Sequence, residues 1–152
     1  HHMSDLPISD LPVAIGDKAT FTKTVGESDI YGFAGITGDF AAPHVNEAFM
    51  KNSQYGTRVA HGALLVGFMS TASALLATRI IDQRDDLTPM SIGYDRVRFT
   101  EAVKIGDTIT VNYEIKDLEP ERGRTRAALT ATNQNGETVG VAEHIMKWLV
   151  NP

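Results

Sequence analysis

The chain has 152 residues, 42% hydrophobic and 22% charged, and a formal net charge of −5. That length and balance suit one domain with a buried core, and the scattered Lys and Arg speak against a nucleic-acid groove. Cysteine is absent, which excludes disulfides and thiolate chemistry and fits a reducing, cytoplasmic setting.

His1, His2 and Met3 read as a tag remnant, and the residues to Pro12 as an extended lead-in with Pro7 and Pro12. No basic-then-apolar leader pattern opens the chain. The domain proper is expected over 13–152. Ala19–Val25 is rich in Thr, Phe and Val and predicts a strand. Ser28 offers an N-cap for a helix to about Gly38, with Ile30, Phe33, Ala34 and Ile36 as its apolar face.

Gly38 to Pro43 breaks that helix. Pro43 suits the first position of a second, short helix reaching about Asn52. Residues 53–58 form a loop. His61-Gly62 then opens a long helix to about Ile81. No charge occurs from Gly62 to Thr78, but Ser70, Thr71, Ser73 and Gly67 interrupt the run. It is therefore read as a buried core helix rather than a membrane span. Its apolar residues lie on most sides, so other structure should wrap it. Gly67, Ala72, Ala74 and Ala77 would let a sheet approach closely.

The second half is strand-rich: Ser91–Phe99, Thr108–Asp117, Arg124–Asn133 and Thr138–Val150. Ile109, Val111, Tyr113 and Ile115 alternate with polar residues, the pattern of a half-buried strand. Asn135-Gly136 is a hairpin turn. Val13–Phe21 and Val103–Val111 match in pattern, most simply because Gly-Asp makes the same turn before two strands. The fold class is α+β: a mostly antiparallel sheet of five or six strands curling round one long helix. An edge strand of such a sheet must be covered or paired, so a homodimer with a continuous sheet is expected.

Beyond the tag, the histidines are His44, His61 and His144. Asp39 and His44 are too far apart for one helix face but well spaced to meet across a loop between helix ends. Together they can hold and deprotonate a water; the competing reading is a loop cap and a surface histidine. Gly62 and Ala63 open the apolar helix, where unsatisfied N–H groups favour a developing negative charge; the competing reading is an ordinary helix start. His144, between Val141 and Trp148 in the last strand, reads as structural. No His-x-x-x-His or Cys pair signals a metal, and no Gly-rich phosphate loop or Gly-x-Ser-x-Gly elbow occurs.

The stretch Phe33-Ala-Gly-Ile-Thr-Gly-Asp-Phe-Ala-Ala-Pro-His44 resembles the hydratase motif of MaoC-like proteins, roughly Y/F-x-x-[LIV]-[ST]-G-D-x-N-P-[LIV]-H. Arg58-Val-Ala-His-Gly-Ala-Leu-Leu65 resembles that family's entry to its central helix. The resemblance covers about Ile15 to Val150. It implies a hot-dog fold and reversible hydration of a trans-2-enoyl-CoA to an (R)-3-hydroxyacyl-CoA. By position, Asp39 and His44 would activate the water and the Gly62 amide would polarise the thioester carbonyl, with Ala63 beside it. Phe40, Ala41, His61 and Leu65 would contact the substrate. The acyl-CoA is the substrate, with no cofactor, no metal, no nucleic acid and no membrane implied. Ala41, Ala42 and Pro43 depart from the motif's Asn, Pro and aliphatic residue. Losing the Asn should loosen the loop or signal another way of holding it. An acyl-CoA thioesterase and a non-catalytic acyl-CoA-binding partner protein are the alternatives.

Overall fold

The computed structural model describes residues 11–152, so the expected tag and most of the lead-in lie outside the described residues. Strands β1 (Lys18–Thr24), β2 (Leu87–Phe99), β3 (Thr108–Glu119), β4 (Arg124–Thr132) and β5 (Thr138–Val150) form one sheet in the order β1-β3-β4-β5-β2. Every pairing in it is antiparallel. Helices α1 (Glu27–Thr37), α2 (Ala42–Val45), α3 (Glu47–Met50) and α4 (Gly62–Ile81) precede β2.

The period-2 pattern sets the inner face. Ile109, Val111, Tyr113 and Ile115 of β3 are buried, and so are Thr125, Ala127, Leu129 and Ala131 of β4. Helix α4 packs its Leu64, Leu65, Phe68, Met69, Ala72 and Leu76 against them. Each such large side chain contributes about 1.5–3 kcal/mol by leaving water. The helix is not wrapped on all sides, however. Ala63, Gly67, Ser70, Ala74 and Thr78 form an exposed stripe. Of the small residues expected to admit the sheet, Ala72 and Ala77 face it, while Gly67 and Ala74 face outward.

The two matching stretches make the same turn. Gly16 and Gly106 adopt φ of 94° and 96°, the left-handed region that favours glycine. Asp17 Oδ2 then accepts from the Ala14 N–H, and Asp107 Oδ2 from the Lys104 N–H, each at 2.9 Å. The strands that follow, β1 and β3, pair with each other.

Some boundaries differ from expectation. The cap of α1 is Gly26, not Ser28, and its N–H is satisfied by Asp29 Oδ2 at 2.8 Å. The expected single helix to Asn52 is two short ones, because Asn46 stops α2 and its Oδ1 caps α3 through the Phe49 N–H. Pro43 is the second residue of α2, not the first. Strand β2 starts four residues early, at Leu87, and carries Pro89 opposite Trp148. A strand admits proline on a sheet edge, where no neighbour needs its missing N–H. That edge bulges between Asp95 and Arg98, where Arg96 takes a φ of 52°.

Candidate active site

The first motif forms a tight corner. Gly38 ends α1 in the left-handed region at φ 86°, with its N–H donating to the Ala34 carbonyl. The Asp39 N–H donates to Thr37 Oγ1 at 3.3 Å, and Asp39 Oδ1 accepts from the Ala41 N–H at 3.2 Å. Asp39 is exposed and His44 half-buried, one on each side of the corner.

His44 Nδ1 lies 2.8 Å from the Val59 carbonyl oxygen. A carbonyl can only accept, so Nδ1 carries a hydrogen, and in the neutral ring Nε2 keeps a lone pair. His61 Nε2 lies 2.9 Å from the Asp39 carbonyl oxygen, and by the same argument its Nδ1 is the bare nitrogen. That Nδ1 is buried without a partner. The His44 and His61 rings stack at 3.8 Å with planes 24° apart, and Phe33 closes on His61 at 4.7 Å. A carboxylate oxygen of Asp39 and one nitrogen from each ring fall within 4.8 Å of one another.

Those three donors invite a test as metal ligands. A bound ion sits in the plane of each imidazole that ligates it. Planes only 24° apart and stacked at 3.8 Å meet far outside both rings. Near-parallel planes keep the two rings from sharing one in-plane ion, so the donor set fits a chelated metal poorly.

Gly62 and Ala63 are the first residues of α4, with His61 as N-cap and no side-chain cap bond. Their N–H groups precede the first intrahelical partner and stay available. A cavity of about 460 Å³ opens there, bounded by Pro43, Val59, His61, Gly62, Leu65 and Phe99 among others. Of the expected site residues, His61, Gly62 and Leu65 line it. Asp39, His44, Phe40, Ala41 and Ala63 do not, and Phe40 and Ala41 stand exposed on the corner. His61 therefore belongs both to the cluster with Asp39 and His44 and to the cavity wall.

A profile of the MaoC like domain matches residues 11–138. The chain belongs to the MaoC-like family. This MaoC-like chain is 38% identical over 107 residues to an (R)-specific enoyl-CoA hydratase of Rhodospirillum rubrum, covering 70% of this chain and 69% of that protein. It is 35% identical over 128 residues to a 3-hydroxybutyryl-CoA dehydratase of Methylorubrum extorquens, covering 84% and 74%. Its structure superposes on the unliganded R-hydratase PhaJ1 of Pseudomonas aeruginosa with a TM-score of 0.75 at 27% identity, over 97% of this chain and 88% of that one. The architecture is thus the hot-dog fold.

One further feature of this MaoC-like site emerges only in three dimensions. Arg58, 7% exposed, sits under the corner between α1 and α2. It donates to the His44 carbonyl at 3.3 Å and to Tyr31 Oη at 3.2 Å, and pairs with Glu27. It lay inside the second motif, but nothing in its spacing pointed to the first. His144 is elsewhere, fully buried, with Nδ1 2.8 Å from Tyr113 Oη and Nε2 2.7 Å from Ser91 Oγ. Burial pushes its pKa down to about 4 and pushes that of the Tyr113 phenol up. It is part of the core, as its position in the last strand predicts.

Proposed function

We propose that this protein is a hydro-lyase that adds water to a trans-2-enoyl-CoA to give an (R)-3-hydroxyacyl-CoA, and catalyses the reverse dehydration. The observation that carries the reading is the cluster itself: an Asp39 carboxylate oxygen and histidine nitrogens within 4.8 Å of one another, beside a helix start with free amides. The relatives named above support the same reaction class.

In this reading a water sits between Asp39 and the bare Nε2 of His44. One of the pair takes a proton as the water oxygen bonds to the β-carbon of the enoyl group. The alkene electrons move toward the thioester carbonyl, which becomes enolate-like. The Gly62 N–H, with Ala63 beside it, stabilises that oxygen. That proton is then returned from the pair to the α-carbon, on the same face, and the pair ends in the protonation state in which it began. Atoms and charge balance without a cofactor. Leu65 and His61 line the acyl side, while Phe40 and Ala41, on the exposed corner, meet the substrate from the solvent side.

A second copy completes this picture. Among the described residues strand β2 pairs only with β5, and Met90 and Ile92 on it are 48% and 46% exposed. Pairing two such edges extends the sheet and covers the open stripe of α4.

The test is direct. Mixed with trans-2-butenoyl-CoA, the protein consumes the enoyl absorbance. Asp39→Ala and His44→Ala each lower kcat by about 100-fold or more, with unchanged circular dichroism. Near-normal rates in both variants, or release of free CoA thiol in place of hydration, would overturn the reading.

A further inference from the structure

We infer that the 58–61 strap is the positioning device for the water-activating pair, with His61 and Arg58 as its two handles. The inference rests on the proposed roles of Asp39 and His44 and assigns the groups that hold them.

The corner's own bonds are all short-range: Asp39 Oδ1 accepts from the Ala41 N–H at 3.2 Å and the His44 N–H donates to the Ala41 carbonyl at 3.0 Å. Ala41 and Ala42 have no polar side chain, and α2 has no side-chain cap. The strap supplies what is missing. The Val59 N–H donates to the Pro43 carbonyl at 2.9 Å. The Val59 carbonyl accepts the His44 Nδ1–H at 2.8 Å, which fixes that ring's tautomer. Arg58 donates to the His44 carbonyl at 3.3 Å. His61 Nε2–H donates to the Asp39 carbonyl at 2.9 Å, and its ring lies flat on His44 at 3.8 Å. Both members of the pair therefore touch His61, one through its backbone and one through its ring.

The strap is itself anchored. The Ala60 N–H donates to the Val103 carbonyl at 2.7 Å, and Val59 bridges to Lys104. Arg58 reaches α1 through Glu27 and Tyr31, and the Arg58 N–H donates to Glu47 Oε1 at 3.0 Å. The pair is thus referenced through the strap to the connection between β2 and β3 and to α1. A shift of about 1 Å in such a pair can cost about 100-fold in rate.

Two substitutions separate the handles. His61→Gln keeps an N–H toward the Asp39 carbonyl and loses the stacked ring. His61→Phe keeps the ring against His44 and Phe33 and loses the N–H. Each is expected to lower kcat about 10- to 100-fold while KM stays within about 3-fold. Arg58→Lys should recover at least about 5-fold of the kcat lost in Arg58→Met, because the ammonium keeps one donor near the His44 carbonyl. Imidazole nitrogen NMR on the unaltered protein supplies a readout independent of any variant's folding. It should show His44 protonated on Nδ1 and His61 on Nε2. Near-wild-type kcat in both His61 variants, equal rates in the two Arg58 variants, or the opposite tautomer on either ring would overturn the inference. If instead Asp39→Ala and His44→Ala keep activity, the proposed function itself fails.

Discussion

The ring of Phe99 lies across the face of Gly62, so close that a β-carbon at position 62 would come 2.5 Å from Phe99 Cδ2. The mouth of the cavity is therefore shaped by one glycine and one aromatic ring. Gly62→Ala forces the ring to move, and at 50% exposure it has room to do so. The expected cost in stability is small, within about 1 kcal/mol. The cost in kcat/KM is about 10- to 100-fold, because the displaced ring disturbs the approach to the Gly62 amide. Steady-state kinetics beside thermal melts checks both halves.

His144 makes stability fall in mild acid. Its pKa drops from 6.5 unfolded to about 4 folded, so between those values the unfolded state binds a proton that the folded state refuses. Stability from this group is full above about pH 6.5 and is lost as pH falls toward about 4. The full loss is on the order of 3 kcal/mol. The surface carboxylates Asp86 and Glu114, lowered by bonds to Arg84 and Lys116, contribute only at lower pH. Urea titrations at pH 7 and pH 5 should differ accordingly, and His144→Gln should flatten the difference.

Leu65 is 2% exposed and lines both the core and the cavity. Leu65→Ala should cost about 2–4 kcal/mol and shift the kcat/KM optimum toward longer acyl chains. Denaturant unfolding and a chain-length series of enoyl thioesters measure the two effects separately.

Ile92 stands in the middle of the unpaired edge. A charge there opposes strand pairing between copies. In the proposed dimer, Ile92→Lys should lower the mass seen by light scattering from twice to once the chain mass at micromolar concentration, with the far-ultraviolet spectrum retained.

Much of this fold was legible because its signals are local. The alternation in β3, the uncharged run of α4 and the Gly-Asp turns each follow from neighbouring residues. The first four residues of β2 are not legible locally, because a strand admits Pro89 only on an edge, and edge position is a tertiary fact. The helix after the corner was read as one because the capping role of Asn46 competes with a continuous pattern. The same division holds at the site. Asp39 and His44 share one motif and could be paired by spacing. His61 and Arg58 join them from another motif through bonds to backbone carbonyls, which any residue offers and no pattern marks.

The claim that Asp39 and His44 serve one water from one side is tested most directly by running the hydration of trans-2-butenoyl-CoA in heavy water. The product's configuration and deuterium position are then read by proton NMR. A single (R)-3-hydroxy product with solvent deuterium on the same face as the new hydroxyl is expected. Deuterium on the opposite face, a mixture of faces, or an (S) product would contradict the claim.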